Sequence, residues 1–344
     1  MPLVNPSTET MAHPIKTQVL ILSDTHGLRL GGKPQVVDVV IHCGDLTEHS
    51  KLSEFRETIA LLDEIEAPLK LIIPGNHDFS LDDVAFARKM VEARRLSTDE
   101  SEMDQLLQRE YGSIGGARKL LEDANIVLLD EGRHNFILQN GARLNVYASP
   151  YTPSTDEWGF QYSGAHDFEI GKEVDIAITH GPPRGVMDMT RARSRIGCPM
   201  LFRAVATAQP RIHCFGHVHN GWGARLIAWR RSIVSEDVSE DVTKEVSHFS
   251  AIDHEQSRTV ETLATLGSSA LETLEESAER IDRVQQYRDQ GCCHVDIGFD
   301  KGDEGRPAAA GGGKTLFVNA AMKGDGDSLD QHPWLVYIDL QAAT

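Results

Sequence analysis

Three short apolar runs, each cut off at once by a polar, glycine-containing turn, constrain the fold of this chain more than any other feature. Gln18 to Leu22 runs into Ser23-Asp24, Val36 to Ile41 into His42, and Leu69 to Ile73 into Pro74-Gly75. Runs of this length, rich in Val, Ile and Leu, read as buried strands whose ends feed loops. Between the second and third, Leu52, Phe55, Ile59, Leu62 and Ile65 recur at helical spacing, with Ser50 as candidate N-cap. Strand, helix, strand is a crossover connection, hence a parallel pair. Further strands are expected at Ile126 to Leu129, Leu144 to Ala148, Val174 to Thr179, Arg211 to Phe215, Leu316 to Val318 and Leu335 to Ile338. Helices are expected around Asp82 to Arg94, Met103 to Glu110 and Ala117 to Asp123. This alternation predicts a layered α/β fold with two central sheets.

Composition bounds the function. At 344 residues, 40% hydrophobic and 25% charged, the chain resembles an ordinary globular protein able to bury a large core. With 52 acidic against 34 basic residues its formal charge is −18, which excludes a nonspecific nucleic-acid binder. Five cysteines without CxxC spacing imply free thiols. Met1 to Pro14 lacks the apolar run of a signal peptide, and no segment is long and apolar enough to span a membrane. The expectation is a cytoplasmic protein: a flexible N-terminus over 1–16, then one domain over 17–344. Residues 231–313 break the strand and helix rhythm. The stretch 235–245 is acidic, 258–287 carries Leu263, Leu266, Leu271, Leu274, Ile281 and Val284 at amphipathic helical spacing, and 301–313 is rich in Gly and Ala. This reads as an insertion, partly helical and partly disordered. Gly311-Gly-Gly-Lys314-Thr315 looks like a P-loop, but Ala308 stands where the first glycine is needed, and a strand follows instead of a helix.

The chemistry lies at the strand ends. The first three deliver Ser23-Asp24-Thr25-His26-Gly27, His42-Cys43-Gly44-Asp45 and Pro74-Gly75-Asn76-His77-Asp78. Later strands add Thr179-His180-Gly181 and Phe215-Gly216-His217-Val218-His219. Parallel strands place such side chains at one sheet edge, where open α/β sheets bind ligands. Carboxylates, imidazoles and an asparagine carbonyl, with no thiolate, suit Mn, Fe, Zn, Ni or Mg. Two such ions sharing a carboxylate hold a hydroxide and a phosphoryl oxygen for in-line displacement. Asp-x-His or Gly-Asp alone signifies little; the ordered set, each member after an apolar strand, carries the argument.

The motifs resemble those of the calcineurin-like metallophosphoesterase superfamily: Asp-x-His, Gly-Asp, Gly-Asn-His-Asp/Glu, a lone His and Gly-His-x-His, in this order, from Val19 to about Gly221. The resemblance implies a four-layer α/β/β/α sandwich with two central mixed sheets and two divalent metal ions. By it, Asp24, His26 and His219 bind one ion and Asn76, His180 and His217 the other. Asp45 bridges the two, and His77, oriented by Asp78, sits near the leaving group. Thr179-His-Gly-Pro-Pro-Arg-Gly185, Trp158-Gly159-Phe160 and Val318-Asn319-Ala320 narrow the resemblance to the small metallophosphoesterase-domain-containing branch. That branch is associated with phosphodiester hydrolysis, and some of its members carry Gly where His217 stands. After Asp45 the chain reads Leu46-Thr-Glu-His49, not the Val-Asp-Arg-Gly of protein phosphatases.

The expected activity is hydrolysis of a small phosphodiester by a two-metal-activated hydroxide. A phosphomonoesterase and a metal-binding scaffold with little turnover are the alternatives. The expected partner is a small phosphoester, with no stable nucleic-acid or membrane contact; the oligomeric state is left open. Outside the ligand set, His42 and His213 read as packing groups, and His13, His49, His134, His166, His248, His254, His294 and His332 as surface residues. Trp158, Phe160 and Tyr162 read either as an apolar wall for a substrate or as a structural cluster. Arg184 is a candidate for reaching a phosphate.

Overall fold

The computed structural model describes residues 13–30, 35–230, 246–298, 313–324, 326 and 328–343. Two sheets form its centre. The first has six strands in the order β13 (Cys293–Asp296), β15 (Trp334–Leu340), β1 (Ile15–Leu22), β2 (Val39–His42), β3 (Leu69–Ile72) and β4 (Val127–Leu128). All its pairings are parallel except that of β15 with β1. The second has seven, in the order β12 (Ile252–Thr262), β11 (Gly223–Trp229), β14 (Lys314–Asn319), β10 (Ile212–Phe215), β9 (Ile176–Thr179), β6 (Arg143–Ser149) and β5 (Gly132–Ile137). Its middle pairings are parallel, and those involving β5, β11 and β12 are antiparallel with one neighbour or both. A short pair, β7 (Thr152–Pro153) and β8 (Gln161–Tyr162), lies apart.

The helices are α1 (Leu52–Asp63), α2 (Asp83–Leu96), α3 (Glu100–Tyr111), α4 (Gly116–Asp123), α5 (Pro199–Ala208), α6 (His248–Ala251), α7 (Leu263–Leu266) and α8 (Leu274–Gln290). The continuous apolar runs are explained by strands covered on both faces. Val19, Ile21, Val39 and Ile41 meet Val146, Ile176, Ile212 and Leu316 between the sheets. Their neighbours Leu20, Leu22 and Val40 pack outward on Phe55, Leu61 and Leu62 of α1 and Leu121 of α4. On the far side, Ala177, Phe215 and Phe317 pack on Leu201, Phe202 and Val205 of α5. The order of layers is therefore α/β/β/α, as the resemblance implied.

Several expectations change in detail. Ser50 does not cap α1. Its φ is 60° and its hydroxyl bonds Ser80 Oγ at 2.8 Å, while Lys51 is the N-cap and Glu54 Oε2 accepts the Lys51 N–H at 2.9 Å. The stretch 258–287 is not one helix. Its start belongs to β12, the edge strand that pairs with β11, and α8 begins only at Leu274, where Thr273 supplies a capping box with Glu276. Edge pairing in the sheet overrides the helical spacing there. Leu271 and Leu274, expected on an apolar face, are 92% and 93% exposed.

The described part of 231–313 thus adds one edge strand to each sheet; 231–245 and 299–312 lie outside the described residues, as do 1–12. Lys314 and Thr315 open β14, and the Thr315 hydroxyl accepts from Trp229 Nε1 at 2.9 Å, so this is a strand and not a phosphate loop. All five cysteines are buried and unpaired. No helix among the described residues is long and apolar enough to cross a membrane.

Candidate metal centre

The strand order sets the site. Strands β1, β2 and β3 end side by side in one sheet, β9 and β10 side by side in the other, and their following turns face one another. Asp24, His26, Asp45 and His217 all adopt left-handed backbone, with φ of 53°, 49°, 52° and 64°. Each such residue costs on the order of 1–3 kcal/mol, a strain that persists only where the surroundings impose it. Glycines let the turns close. A Cβ at Gly75 would overlap the Asp45 carboxylate and lie 2.7 Å from His180 Cε1, and one at Gly216 would lie 2.8 Å from Ser23 Cβ.

Hydrogen bonds hold the turns to each other. Asp78, fully buried, accepts from Leu46 N (3.0 Å), Thr47 N (2.9 Å), Thr47 Oγ1 (2.6 Å) and Gly75 N (2.8 Å), fastening the turn after β2 to the one after β3. Burial, reinforced by the Asp45 charge, pushes its carboxyl up to about 6. It makes no hydrogen bond to the His77 ring. The resemblance gave Asp78 the task of orienting His77, but the Glu48 carbonyl does this, accepting from His77 Nδ1 at 2.8 Å. His42, expected only to pack, links two turns: its Nδ1 accepts from Gly44 N at 3.3 Å and its Nε2 meets Thr25 Oγ1 at 2.9 Å. Asn319 Nδ2 donates to the Val218 carbonyl at 3.0 Å, fixing the turn that carries His217 and His219.

The donors gather into groups. Asp24, His26 and His219 offer ligand atoms within 4.8 Å of one another, and so do Asp45, His180 and His217. Asp45 faces both: its Oδ2 lies 3.9 Å from His26 Nε2 and its Oδ1 3.4 Å from His180 Nε2. His180 donates from Nδ1 to the Cys43 carbonyl at 2.9 Å, which turns its Nε2 into the site, 3.1 Å from Asn76 Oδ1. Asp24 accepts the His217 N–H at 3.0 Å and lies 3.2 Å from His219 Nε2.

These residues fit divalent metal ions. His26 is buried, and although Glu48 Oε2 lies 3.1 Å from its Nδ1 and Asp45 Oδ2 3.9 Å from its Nε2, neither ring nitrogen has a hydrogen-bond partner. Neither Asp24 nor Asp45, both buried, is paired with a lysine or arginine among the described residues. Buried carboxylates of this kind call for positive charge. Burial works to raise both, yet the surrounding histidines hold them below the usual carboxylate range. Against its burial, the Asp45 charge lifts His180 to about 9, whereas burial and then His180 push His217 down to about 4.

Sequence reasoning missed one member. Glu48 lies in a third group with His26 and His77 and forms an ion pair with Lys323, which follows β14. Its position in Leu46-Thr-Glu-His49, directly after Asp45, was the available signal. Of the aromatic trio, Trp158 reaches the site and packs on His77 with centroids 4.4 Å apart and the rings tilted by 35°. Phe160 and Tyr162 instead pack into the core. Arg184 is exposed and donates to the Arg195 carbonyl at 3.2 Å. His213 packs as expected, against Phe215 and Phe317. His134, His166, His248 and His332 are half-buried, not surface residues, whereas His13, His49, His254 and His294 are exposed.

A model of the family described as calcineurin-like phosphoesterase matches residues 17–221. Human metallophosphoesterase domain-containing protein 1 is 30% identical over 223 residues, which cover 60% of this chain and 62% of that protein. A probable rhamnogalacturonate lyase C of Emericella nidulans is also 30% identical, over 220 residues covering 62% of this chain but 18% of that protein. The chain thus spans less than two thirds of the length of either relative. A phosphopantetheinyl hydrolase of Mycobacterium tuberculosis aligns over 61% of this chain and 84% of its own, at 13% identity and a TM-score of 0.33, a likeness too slight to argue from. The family match covers more than half of the sequence and contains every donor group described above: the chain belongs to the calcineurin-like phosphoesterase family.

Proposed function

We propose that this chain hydrolyses a small phosphodiester at a centre of two divalent ions. One is held by Asp24, His26 and His219, the other by Asn76, His180 and His217, with Asp45 between them. The observation that carries this reading is the placement of Asp45, with one carboxylate oxygen toward each histidine group. Bound there, the ions would supply Lewis acidity toward a phosphoryl oxygen and a nucleophile from water at neutral pH.

The chain's own residues do the rest. His77 holds its Nδ1–H on the Glu48 carbonyl and its ring against Trp158, so that in the doubly protonated imidazolium form its Nε2–H can give its proton to the departing oxygen and leave the neutral ring. Asp78 positions the two turns and touches no reacting atom, so it is a positioning residue and not a catalytic one. A diester is favoured over a monoester by charge. Among the described residues the cations near these ligands are already engaged, Lys323 with Glu48 and Lys89 over the Trp158 ring, and Arg184 is committed elsewhere, so a substrate of single negative charge suits the site better than a dianion.

The test is turnover of bis-aryl phosphate against aryl phosphate by the metal-loaded protein. Higher kcat/KM for the diester is expected, and the reverse order would make the protein a phosphomonoesterase. No turnover with Mn, Fe, Zn, Ni or Mg, with Asp45→Ala indistinguishable from wild type, would refute hydrolysis altogether. The scaffold alternative draws support from Leu271, Leu274 and Ile281, which stand exposed before and on α8. Because β12 and β13 belong to the sheets, it is tested by Leu274→Glu with Ile281→Glu and not by deleting the segment. Loss of a partner with turnover intact would support it.

A further inference from the structure

The excursion between β9 and α5 is basic in an acidic protein, reading Thr190-Arg-Ala-Arg-Ser-Arg195 in a chain of formal charge −18. It lies close to the metal centre, since Asn319 Nδ2 contacts both the Met187 carbonyl, at 3.4 Å, and the Val218 carbonyl. Where the excursion passes β11 and β12, the two enclose a cleft of about 380 Å³, whose lining includes Met187, Met189, Arg195, Arg225 and Thr259. Arg225 stands on β11, paired in register with Thr259 of β12. It is half-buried, its Nε is buried without a hydrogen-bond partner, and among the described residues no carboxylate pairs with it.

The carboxylate in the lining, Asp188, is already spent. Its Oδ1 accepts from Arg195 at 2.5 Å, and its Oδ2 accepts the N–H groups of Gly185 (3.0 Å) and Gly197 (3.3 Å). His248, whose ring abuts Gly185 at the edge of the cleft, holds a second buried nitrogen without a partner, Nε2. Burial lowers the His248 pKa, and the charges of Arg195 and Arg184 lower it further against the pull of Asp188. Buried polar groups in native proteins are nearly always paired, so the unpartnered guanidinium nitrogen of Arg225, beside the charge of Arg195, calls for an acceptor of negative charge.

We propose that this cleft binds a phosphate-type oxyanion, held by the guanidinium groups of Arg225 and Arg195 beside the Thr259 hydroxyl and separate from the metal centre. Guanidinium matches the planar edge of a phosphate with paired hydrogen bonds. Met187 and Met189 line the same cleft. The anion has two possible sources: free orthophosphate, or a second phosphate carried on the substrate.

The experiment titrates orthophosphate into the full chain in excess chelator, so that the metal centre contributes no binding, and follows it by calorimetry or phosphorus NMR. Wild type is expected to bind, and Arg225→Gln to bind at least about tenfold more weakly, as expected for losing a hydrogen-bonded charge. Met189→Glu changes an exposed side chain of the same lining and leaves the sheet untouched, so it checks the result should Arg225→Gln fold poorly. It is expected to weaken binding as much. No binding by wild type, or equal binding by all three folded proteins, overturns the proposal. Two arms with metal-loaded protein separate the sources. An effect of orthophosphate on bis-aryl phosphate turnover that vanishes in Arg225→Gln identifies the free ion. A rise in KM in Arg225→Gln confined to a substrate bearing a second phosphate identifies the substrate.

Discussion

Replacing Asp78 by alanine removes the acceptor for four hydrogen bonds at once, from Leu46 N, Thr47 N, Thr47 Oγ1 and Gly75 N. All four donors are buried in the turns after β2 and β3. A buried donor left unsatisfied costs about 1–3 kcal/mol. The terms are not additive, because the turns relax together, so the expected loss is about 4 kcal/mol of unfolding free energy. Asp78→Asn keeps one oxygen and turns an amide toward the donors that the other oxygen served, and about half the loss is expected. Urea unfolding at pH 7, in excess chelator and again with saturating metal, measures both variants. The chelated protein matters because it separates the turns' own stability from metal linkage. If Asp78→Ala unfolds within about 1 kcal/mol of wild type while turnover collapses, Asp78 acts in the chemistry and the positioning argument is wrong.

Other outcomes follow from the same geometry. His77→Ala is expected to lower kcat by about 10²–10⁴-fold with metal content unchanged, since His77 stands outside both triads; elemental analysis beside steady-state kinetics checks it. Burial holds His213 at about 3, below the ordinary histidine value of 6.5. Its folded pKa is depressed, so the unfolded chain binds the proton more tightly, and the stability from keeping this ring neutral is full above pH 6.5 and lost as pH falls toward 3. Between pH 7 and pH 5 that amounts to about 2 kcal/mol. His213→Phe should therefore lose about 2 kcal/mol less than wild type over that interval, measured by denaturant unfolding at both values. An unchanged slope would contradict the assignment.

The sequence made the site legible because each donor follows an apolar strand long enough to be recognised by composition alone. That legibility rests on local rules: strand, sharp turn, polar side chain. Contacts between distant segments were another matter. Nothing near Asp78 in sequence reveals that its carboxylate is consumed by Leu46, Thr47 and Gly75, so the neighbouring His77 was the natural guess for its partner. Lys323 meets Glu48 across 275 residues of sequence, and no spacing rule reports such a pair. The same limit explains β12. Asp253-His-Glu-Gln-Ser-Arg258 carries no strand signal of its own, and its pairing is set by the exposed edge of β11. Strands β5 and β11 were also missed, the former because its exposed face alternates with residues only half-buried. The basic cleft escaped for a similar reason: Arg195, Arg225 and Thr259 come from three segments, and only the burial of Arg225 sets it apart.

The most direct test of the two-ion centre is anomalous scattering from crystals of the metal-loaded protein, collected at the absorption edge of the metal supplied. The expected result is two peaks about 3.5–4 Å apart, one on each side of the Asp45 carboxylate. One would lie among Asp24, His26 and His219, the other among Asn76, His180 and His217. In His217→Ala the second peak should weaken while the first remains. A single peak in the wild-type protein, or one seated among His26, Glu48 and His77 with Asp45 unliganded, would contradict the account.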